Sequence, residues 1–229
     1  MQEAVAKKWL EVTGCAICEA YGLSETSPGV SANPTDIDVF TGSIGLPFPS
    51  TDIAILDDDG HAVPLGQSGE IAVRGPQVMA GYWQQPEETA KVMTADGFFK
   101  TGDLFEIAAG GRFYRFVGRC KDLIIRGGVN IAPEEIDQLL GGHPALAEAC
   151  AFSLPDPVMG ERVGLAAVAR PGTEVTLESV TGYLKEQDLA VFKLPERLFR
   201  FESLPRNVTN KVMRSEVREL ALAMIEKGD

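Results

Sequence analysis

A change of hydrophobic pattern near Gly118 constrains the fold of this chain more than any other feature. Before it, short strand-like runs such as Thr51–Leu56 and Gly69–Arg74 are separated by turn clusters. After it, helical and strand-like segments alternate. A chain of 229 residues is long enough for two ordinary domains. The pattern therefore predicts two domains, at residues 1–118 and 119–229.

The individual segments predict a mixed α+β fold. Helical segments carry apolar residues three or four positions apart, and strand segments are short apolar runs bounded by turn residues. Residues 27–38, where proline and polar residues dominate, are predicted to form a surface loop. The predicted helices are residues 3–12, 86–91, 177–187, 214–227 and one that opens at 131–136; the predicted strands are residues 15–20, 51–56, 69–74, 113–117, 149–154, 163–169 and 197–201.

The net charge of −12 argues against nucleic acid as the main partner, because a phosphate backbone requires a cationic face. The charge is uneven, however, since residues 193–218 carry seven basic and three acidic side chains. A basic stretch inside an acidic protein suits a small polyanion such as a nucleotide or coenzyme A. Taken alone, the stretch is equally compatible with ordinary solvated surface charge.

Cellular location and cysteine use are predicted from what the sequence lacks. It has no run of about 18 apolar residues and no basic-then-apolar start, which predicts a cytoplasmic protein. Peripheral membrane contact is not decided by the sequence. Cys15 and Cys18 have the spacing of half a zinc site, but a structural zinc ion needs four ligands and no second pair follows. We therefore expect both cysteines to be buried strand residues.

A polar hexapeptide, Tyr-Gly-Leu-Ser-Glu-Thr at residues 21–26, follows the first predicted strand. Side chains at a strand end are well placed to bind a ligand in α/β folds. Gly22 lets the backbone approach a planar base or a phosphate, the Ser24 hydroxyl can bind a phosphate oxygen, and Glu25 offers an oxygen ligand for Mg²⁺. By itself, the hexapeptide is more typical of an ordinary strand-to-loop turn.

Two further polar motifs lie near the predicted domain boundary: the first precedes it, and the second includes it. Thr101-Gly102-Asp103 places a carboxylate after a glycine, and a carboxylate can accept two hydrogen bonds from a ribose diol. Alone, this tripeptide is common in turns. Residues 118–135 combine charged side chains with the pair Gly127-Gly128, and charged residues in a linker can serve as a hinge because they stay solvated while the backbone angles change. A β-hairpin with a basic turn is the alternative for this segment.

Near the C-terminus, residues 204–214 present one lysine, Lys211, on a short turn before the last predicted helix. With this turn as the fourth motif, the chain resembles the adenylate-forming superfamily of acyl-CoA synthetases, luciferases and peptide-synthetase adenylation domains. The finer resemblance, to bacterial long-chain fatty-acid–CoA ligases, rests on residues 31–38, 42–47, 74–83 and 96–121.

The resemblance covers essentially the whole chain and implies its architecture. Residues 1–118 would be the C-terminal part of the large AMP-binding domain, with a remnant of its β-barrel. Residues 119–229 would be the small, mobile α+β C-terminal domain of these enzymes.

The resemblance also implies a two-step reaction that uses ATP, Mg²⁺, a fatty acid and coenzyme A. The carboxylate attacks the α-phosphate of ATP to give an acyl-adenylate and diphosphate, and the thiol of coenzyme A then displaces AMP. Lys211 and Glu25 would be the catalytic residues, and Glu25 would bind the Mg²⁺. The nucleotide-binding residues would be Tyr21, Gly22, Ser24, Asp103 and Arg119; Lys121 would be the hinge, and Gly127 and Gly128 would line the path of the thiol.

This sequence departs from the family pattern at two of these positions. Ser24 stands where threonine is usual, and it keeps the hydroxyl. Asn210 stands where glycine is usual. Asparagine adopts a left-handed backbone more readily than most residues, so we expect Asn210 to do so and still to present Lys211.

Family enzymes are more than twice as long, and their Ser/Thr/Gly-rich phosphate loop is not found in these 229 residues. We therefore expect a C-terminal portion that is inactive or very weak alone, with apolar surface in residues 1–45 that favours a homo-oligomer or a partner. Two alternatives stay open. One is a non-catalytic module that binds nucleotide or coenzyme A, or that mediates interactions. The other is a ligase for another carboxylic acid, such as an aryl or medium-chain acid.

Overall fold

The chain divides into two compact units, Met1–Cys120 and Lys121–Asp229. The computed structural model describes residues 3–37, 40–107 and 113–227. Both units combine helices with mainly antiparallel strands, so the predicted α+β class is confirmed. The division between the units lies close to the predicted boundary between residues 118 and 119.

Helices and strands are numbered separately along the chain. The helices are α1 Glu3–Thr13, α2 Pro86–Val92, α3 Pro133–Leu140, α4 Leu177–Glu186 and α5 Arg214–Lys227. The strands are β1 Ala20–Gly22, β2 Gly29–Ala32, β3 Leu46–Pro47, β4 Asp52–Leu56, β5 Ser68–Arg74, β6 Phe99–Ile107, β7 Tyr114–Arg119, β8 Ile124–Arg126, β9 Val129–Ile131, β10 Leu146–Asp156, β11 Gly160–Ala169 and β12 Arg197–Arg200. No helix in the described residues is long and apolar enough to cross a membrane.

In the first unit, β4 to β7 form an antiparallel sheet in chain order, and β1 to β3 form a second, smaller sheet. The turn after β4 is closed by its own side chain, because Asp57 Oδ1 accepts hydrogen bonds from the N–H groups of Asp59 and His61 at 3.0 and 2.8 Å. Ile71 and Phe105 are fully buried in the core between these strands. The larger sheet runs from β4 to β7 as an open path within the described residues, and the barrel remnant stays a prediction.

The second unit is a five-stranded sheet built on the long antiparallel hairpin β10–β11. Strand β10 covers one edge of β11, and the other edge pairs with β12 in parallel and, at Gly160, with the hairpin β8–β9. Successive side chains of a strand point to opposite faces, which explains two separate cores. Ala151 and Leu165 pack with α3 and α4, whereas Phe152 and Ala166 pack with α5.

Local signals set the boundaries of two of the predicted helices. Helix α3 begins with Pro133, and Glu134 and Glu135 lie in its first turn, where the helix dipole favours negative charge. Helix α1 ends at Thr13, and Gly14 beyond it adopts a left-handed φ of 70°.

The strand predicted at residues 15–20 is wrong. Only Ala20 belongs to a strand, and Cys15 and Cys18 are exposed thiols instead of buried strand residues. The reason is the limited length of the neighbouring strand. Pairing with it begins at Glu19, whose carbonyl accepts a hydrogen bond from Asn33 N at 2.9 Å.

The surface loop predicted at residues 27–38 is wrong in its central part. Strand β2 lies within this range, and Val30 and Ser31 are fully buried. The strand forms because it pairs with β1 on one side and with β3 on the other. Pairing with distant residues therefore overrides the polar composition of the segment.

Helix α1 carries the exposed apolar surface that was expected near the N-terminus. Its exposed apolar side chains are Val5, Trp9, Leu10 and Val12. The expectation of apolar exposure is confirmed for this helix.

Replacing Phe152 by alanine should destabilise the second unit. Phe152 is fully buried, and its ring lies 5.7 Å from that of Phe199. We expect the free energy of unfolding to fall by about 3–5 kcal/mol, because the substitution leaves a cavity. Urea unfolding measures the change. The control Phe192→Ala removes a ring that is 45% exposed and should cost less than about 1 kcal/mol, and equal losses would contradict the assignment of the core.

Candidate functional site

The carboxylate of Asp103 is the centre of the candidate site in the first unit. It lies on β6 and is only 6% exposed. Tyr21 Oη donates a hydrogen bond to Oδ2 at 2.7 Å, and Arg119 Nε lies 3.2 Å from Oδ1. Arg119 is the cross-strand neighbour of Asp103 on β7. Each carboxylate oxygen can accept more than one hydrogen bond, so the group can still accept two further donors, such as a pair of neighbouring hydroxyls.

The backbone before Asp103 is held by Glu70, a residue of β5. Glu70 Oε1 accepts a hydrogen bond from Gly102 N at 2.9 Å, and Oε2 forms an ion pair with Lys100 Nζ at 2.9 Å. Gly102 adopts a left-handed φ of 76°, which favours glycine. Sequence reasoning missed Glu70. The signal that could have identified it is its position, because Glu70 is an acidic residue within the predicted strand 69–74, just before the apolar residues of that strand.

Tyr21 is a hydrogen-bond donor fixed by packing. Its ring meets the ring of Phe105 edge-on, with 5.0 Å between their centroids. Burial raises the pKa of the Tyr21 phenol well above its usual range, and the nearby Asp103 carboxylate adds to the increase. The hydroxyl therefore keeps its proton and donates a hydrogen bond to Asp103. At Gly22 a Cβ atom would lie 1.7 Å from the carbonyl oxygen of Pro28, so only glycine fits there.

Ser24 and Glu25 lie on a short 3₁₀ turn just after Gly22. The turn is braced by the buried Thr26, whose hydroxyl lies 2.7 Å from the carbonyl oxygen of Pro28. Ser24 is exposed, and Glu25 Oε1 accepts a hydrogen bond from Tyr82 Oη at 3.2 Å. Burial raises the pKa of the Tyr82 phenol, with Glu25 as the next cause. Ser24 and Glu25 therefore follow Tyr21 closely in the sequence. Among the described residues, neither of them contacts Asp103 directly.

The carboxylates near Glu25 show whether this residue could bind the predicted Mg²⁺. The described residues contain no group of three or more His, Cys, Asp or Glu side chains that could hold a metal ion. Mg²⁺ commonly binds one or two protein carboxylates and takes its other ligands from water and substrate phosphates. A single carboxylate such as Glu25 therefore fits a Mg²⁺ that is bound together with a nucleotide.

An open groove of about 720 Å³ borders Tyr21 and Gly22. Its walls are mainly apolar and include Pro28, Phe48 and Pro76. Gly29 leaves room for the Phe48 ring, since a Cβ atom there would lie 2.4 Å from Cε2 of that ring. The groove suits a flat ligand with an apolar face.

Lys211 lies in the second unit, on the turn between β12 and α5. Asn207 closes this turn, because its Oδ1 accepts a hydrogen bond from Lys211 N at 2.9 Å and its own N–H donates to Lys211 O at 2.9 Å. Asn210 adopts a φ of 63°, so the expected left-handed backbone is confirmed. The Lys211 side chain is exposed, and its ammonium has no partner among the residues that the structure describes.

The other predicted positions of the second unit lie on separate segments. Lys121 is exposed on a 3₁₀ turn at Cys120–Asp122. Gly127 and Gly128 connect β8 to β9, with φ values of 56° and 83°. Residues 124–131 therefore form a β-hairpin, the structure that the sequence analysis gave as the alternative for this segment. The roles of Lys121 as a hinge and of Gly127 and Gly128 in the path of the thiol stay predictions.

The chain matches two profiles of one enzyme family. Residues 1–83 match the AMP-binding enzyme family, and residues 135–211 match the AMP-binding enzyme C-terminal domain. The chain belongs to the adenylate-forming, AMP-binding enzyme superfamily.

Individual relatives span nearly all of this chain. A long-chain-fatty-acid–CoA ligase of Escherichia coli O6:H1 is 39% identical over 99% of the chain and 40% of the relative. The crystal structure of ATP-bound MatB from Rhodopseudomonas palustris has a TM-score of 0.88 and 35% identity, over 96% of this chain and 43% of that one. The o-succinylbenzoate CoA synthetase MenE from Bacillus subtilis, in complex with the acyl-adenylate intermediate OSB-AMP, has a TM-score of 0.85 and 32% identity, over 95% and 44%. The chain thus spans about 40% of the length of the curated relative that it matches.

In this AMP-binding enzyme chain, a partly buried arginine, Arg214, lies just after the Lys211 turn and supports it. Arg214, the first residue of α5, contacts Asp137 Oδ2 at 3.0 Å, Glu134 Oε1 at 2.9 Å and the carbonyl oxygen of Ala151. Its Nε also lies 3.8 Å from Asp122 Oδ2, next to Lys121. Sequence reasoning missed this cluster, because its members lie up to 92 positions apart and carry no shared local motif.

The Arg214 cluster holds three carboxylates around one guanidinium. Burial raises the pKa of Asp137 to about 6, although Arg214 and the Ala151 N–H, which donates at 2.6 Å, oppose the increase. Burial also raises the pKa of Glu134. Burial, with a smaller contribution from the neighbouring carboxylates, therefore makes Asp137 and Glu134 take up a proton more readily than an isolated carboxylate would.

The substitution Asp137→Asn should change the pH dependence of stability. The folded pKa of about 6 lies above the unfolded value of 3.8, so the contribution of Asp137 to stability is full below about pH 4 and is lost as the pH rises through 6. Asparagine does not titrate. We therefore expect the variant to gain about 3 kcal/mol relative to the unsubstituted chain between pH 4 and pH 7.

Urea unfolding, followed through the NMR signals of β10 amides at both pH values, measures this difference. Asp188→Asn is the matched control, since Asp188 is exposed and its left-handed φ of 59° suits asparagine. The assignment is contradicted if the Asp137 variant and the control change alike with pH.

Proposed function

We propose that this chain is the carboxyl-terminal portion of an ATP-dependent acid–CoA ligase that acts on long-chain fatty acids. The reaction converts a fatty acid, ATP and coenzyme A to acyl-CoA, AMP and diphosphate through an acyl-adenylate. The single observation that carries the proposal is the Asp103 carboxylate, anchored by Tyr21 and Arg119 beside an apolar groove. The long-chain substrate is supported by the name and the 39% identity of the Escherichia coli relative.

In this proposal the first unit binds the nucleoside. The adenine occupies the groove next to Tyr21 and Gly22, and the ribose hydroxyls donate to Asp103, with Arg119 holding the carboxylate in place. The exposed Ser24 hydroxyl binds a phosphate oxygen. Glu25 would hold a Mg²⁺, which would neutralise charge on the phosphates.

Lys211 serves the first half-reaction. The carboxylate oxygen of the fatty acid attacks the α-phosphorus, and the bond from that phosphorus to diphosphate breaks. Negative charge builds on the oxygens around phosphorus, and the Lys211 ammonium donates hydrogen bonds to them and to the carboxylate. A donor that is fixed before the reaction lowers the barrier because it needs no reorganisation at that moment.

The second half-reaction uses other parts of the second unit. The sulfur of coenzyme A attacks the acyl carbonyl, and the bond from that carbonyl to AMP breaks. The Gly127–Gly128 turn lines the path of the thiol, and Lys121 is the hinge about which this unit moves between the two steps.

The activity of these 229 residues alone is expected to be absent or very weak. The sheet β4–β7 is proposed to be part of a larger barrel, and the exposed face of α1 is proposed to pack on a further part of the enzyme or on a second copy. We use the term complete enzyme for the ligase that contains this chain as its carboxyl-terminal portion.

Two other functions have specific support. A non-catalytic module is favoured by the lack of a phosphate-gripping loop within these 229 residues, and calorimetry with AMP and coenzyme A detects such binding by the chain itself. A different acid is favoured by the 32% identity with the o-succinylbenzoate CoA synthetase. Activity of the complete enzyme on long-chain, medium-chain and aryl acids decides between the substrates.

Replacing Lys211 by alanine in the complete enzyme should slow acyl-adenylate formation by about 10²–10³-fold, which is typical for the loss of one preorganised donor. ATP–pyrophosphate exchange in the presence of a long-chain fatty acid measures this step. Lys185→Ala removes another exposed lysine of the same unit and should have little effect. Unchanged adenylation in the Lys211 variant would remove this residue from the mechanism.

A further inference from the structure

The Gly127–Gly128 turn rests on a second turn, the one that joins β10 to β11. Gly127 N donates a hydrogen bond to Met159 O at 2.8 Å, and Arg126 pairs with Gly160 across the two strands. The contact is tight, since a Cβ atom on Gly127 would lie 2.8 Å from Cε of Met159. The position of the glycine turn therefore depends on the shape of the β10–β11 turn.

The β10–β11 turn is fixed by Asp156. Its Oδ1 accepts hydrogen bonds from Val158 N at 3.0 Å and from Met159 N at 2.7 Å. These backbone hydrogen bonds lower the pKa of the Asp156 carboxyl, and Arg162 adds to the effect. Arg162 Nε contacts the other oxygen, Oδ2, at 2.5 Å.

Two more ion pairs lead from Arg162 back to the glycine turn. Arg162 contacts Glu196 Oε2 at 2.5 Å, and Glu196 Oε1 lies 2.8 Å from Arg126 Nη2. Arg126 also donates to the carbonyl oxygen of Phe192 at 2.5 Å. Arg126 is the residue just before Gly127, so these ion pairs start at the β10–β11 turn and end at the glycine turn that rests on it. We call the four side chains Arg126, Asp156, Arg162 and Glu196 the glycine-turn ring.

The ring should hold the geometry of the turn more firmly than an isolated ion pair on the surface would. Two acids and two bases alternate along it, so its net charge is zero. The Asp156, Arg126 and Glu196 side chains are 13%, 20% and 27% exposed, and Arg162 is the most exposed member at 42%. Isolated exposed ion pairs contribute little, whereas networks of partly buried charges hold geometry better, because salt and water screen them less.

The Lys211 turn uses none of these four residues. One of its flanks is held by Arg206, which donates to Asn210 O at 2.7 Å and pairs with Glu148 Oε2 at 2.6 Å. The other flank is held by Arg214. The two turns that the proposed function assigns to different half-reactions therefore have separate charged supports.

We propose that the glycine-turn ring is a set of positioning residues for the thioester-forming half-reaction alone. The ring holds the Gly127–Gly128 turn in the place where it guides the thiol, and it has no part in acyl-adenylate formation. This inference rests on the proposed function, because it takes the Gly127–Gly128 turn to be the path of coenzyme A.

The test compares Glu196→Gln with Glu148→Gln in the complete enzyme. Both changes remove one carboxylate charge and keep the size of the side chain. The Glu196 variant breaks the ring, and the Glu148 variant weakens the anchor of the Lys211 turn. ATP–pyrophosphate exchange measures the first half-reaction, and the consumption of preformed acyl-adenylate by added coenzyme A measures the second.

We expect Glu196→Gln to slow the second half-reaction about tenfold or more and to leave the first within about twofold, because small displacements of positioning groups cost rate steeply. The Glu148 variant should instead slow the first half-reaction more than the second. Equal loss of both half-reactions in the Glu196 variant would contradict the inference, since general damage to the unit affects both. Equal thermal unfolding of the two variants checks that neither has lost its fold.

A second measurement uses the 229-residue chain and needs no activity. Hydrogen exchange of the Gly127 amide, which is bonded to Met159 O, should become faster in Glu196→Gln and stay unchanged in Glu148→Gln. Unchanged exchange in the Glu196 variant overturns the role of the ring. If the unsubstituted complete enzyme catalyses neither half-reaction, the proposed function fails, and the exchange result still decides whether the ring holds the turn.

Discussion

The buried carboxylate of Asp103 is the interaction on which the first unit's site depends. It contacts Tyr21 on β1 and Arg119 on β7, so one side chain joins the smaller sheet to the larger one. Burying a carboxylate is costly unless it is paired and hydrogen-bonded, and these two partners meet that requirement. The same arrangement leaves acceptor capacity on both oxygens. Stability and the capacity to bind hydroxyl groups therefore arise from the same atoms.

The second unit holds the Lys211 turn and the Gly127–Gly128 turn in a related way, with charges placed at the edges of a hydrophobic core. Arg214 ties the start of α5 to α3 and β10, and the glycine-turn ring ties the β8–β9 turn to the β10–β11 turn. In both cases a side chain within three positions of the turn carries the support. Lys211 itself stays exposed, so its ammonium is available to a ligand. Each of these two turns is thus held through residues that lie near it in the sequence.

Features with local causes could be predicted from the sequence. Helix α3 starts at its proline, and Asn210 adopts the left-handed backbone that its residue type allows. Features that depend on distant partners could not. Strand β2 was missed because its pairing with β1 and β3 outweighs a polar composition, and Cys18 was misplaced because pairing begins only at Glu19.

The candidate site shows the same division. Motifs in the sequence identified Tyr21 and Asp103, and the structure joins them by a hydrogen bond across 82 positions. Glu70 and Arg214 were missed, since each acts by holding a residue that is far away in the sequence. Supporting residues of this kind become visible only when the strands and helices are assembled.

The proposed binding of the ribose hydroxyls of ATP by Asp103 can be tested by comparing ATP with 2′,3′-dideoxy-ATP. Calorimetry would measure the affinity of the complete enzyme for both nucleotides, with and without Asp103→Asn. We expect the unsubstituted enzyme to prefer ATP by about 10–100-fold, because hydrogen bonds to a charged acceptor are worth about 1.5–3 kcal/mol, and we expect the substitution to remove most of this preference. A preference for ATP that persists unchanged in the variant would contradict the proposed binding.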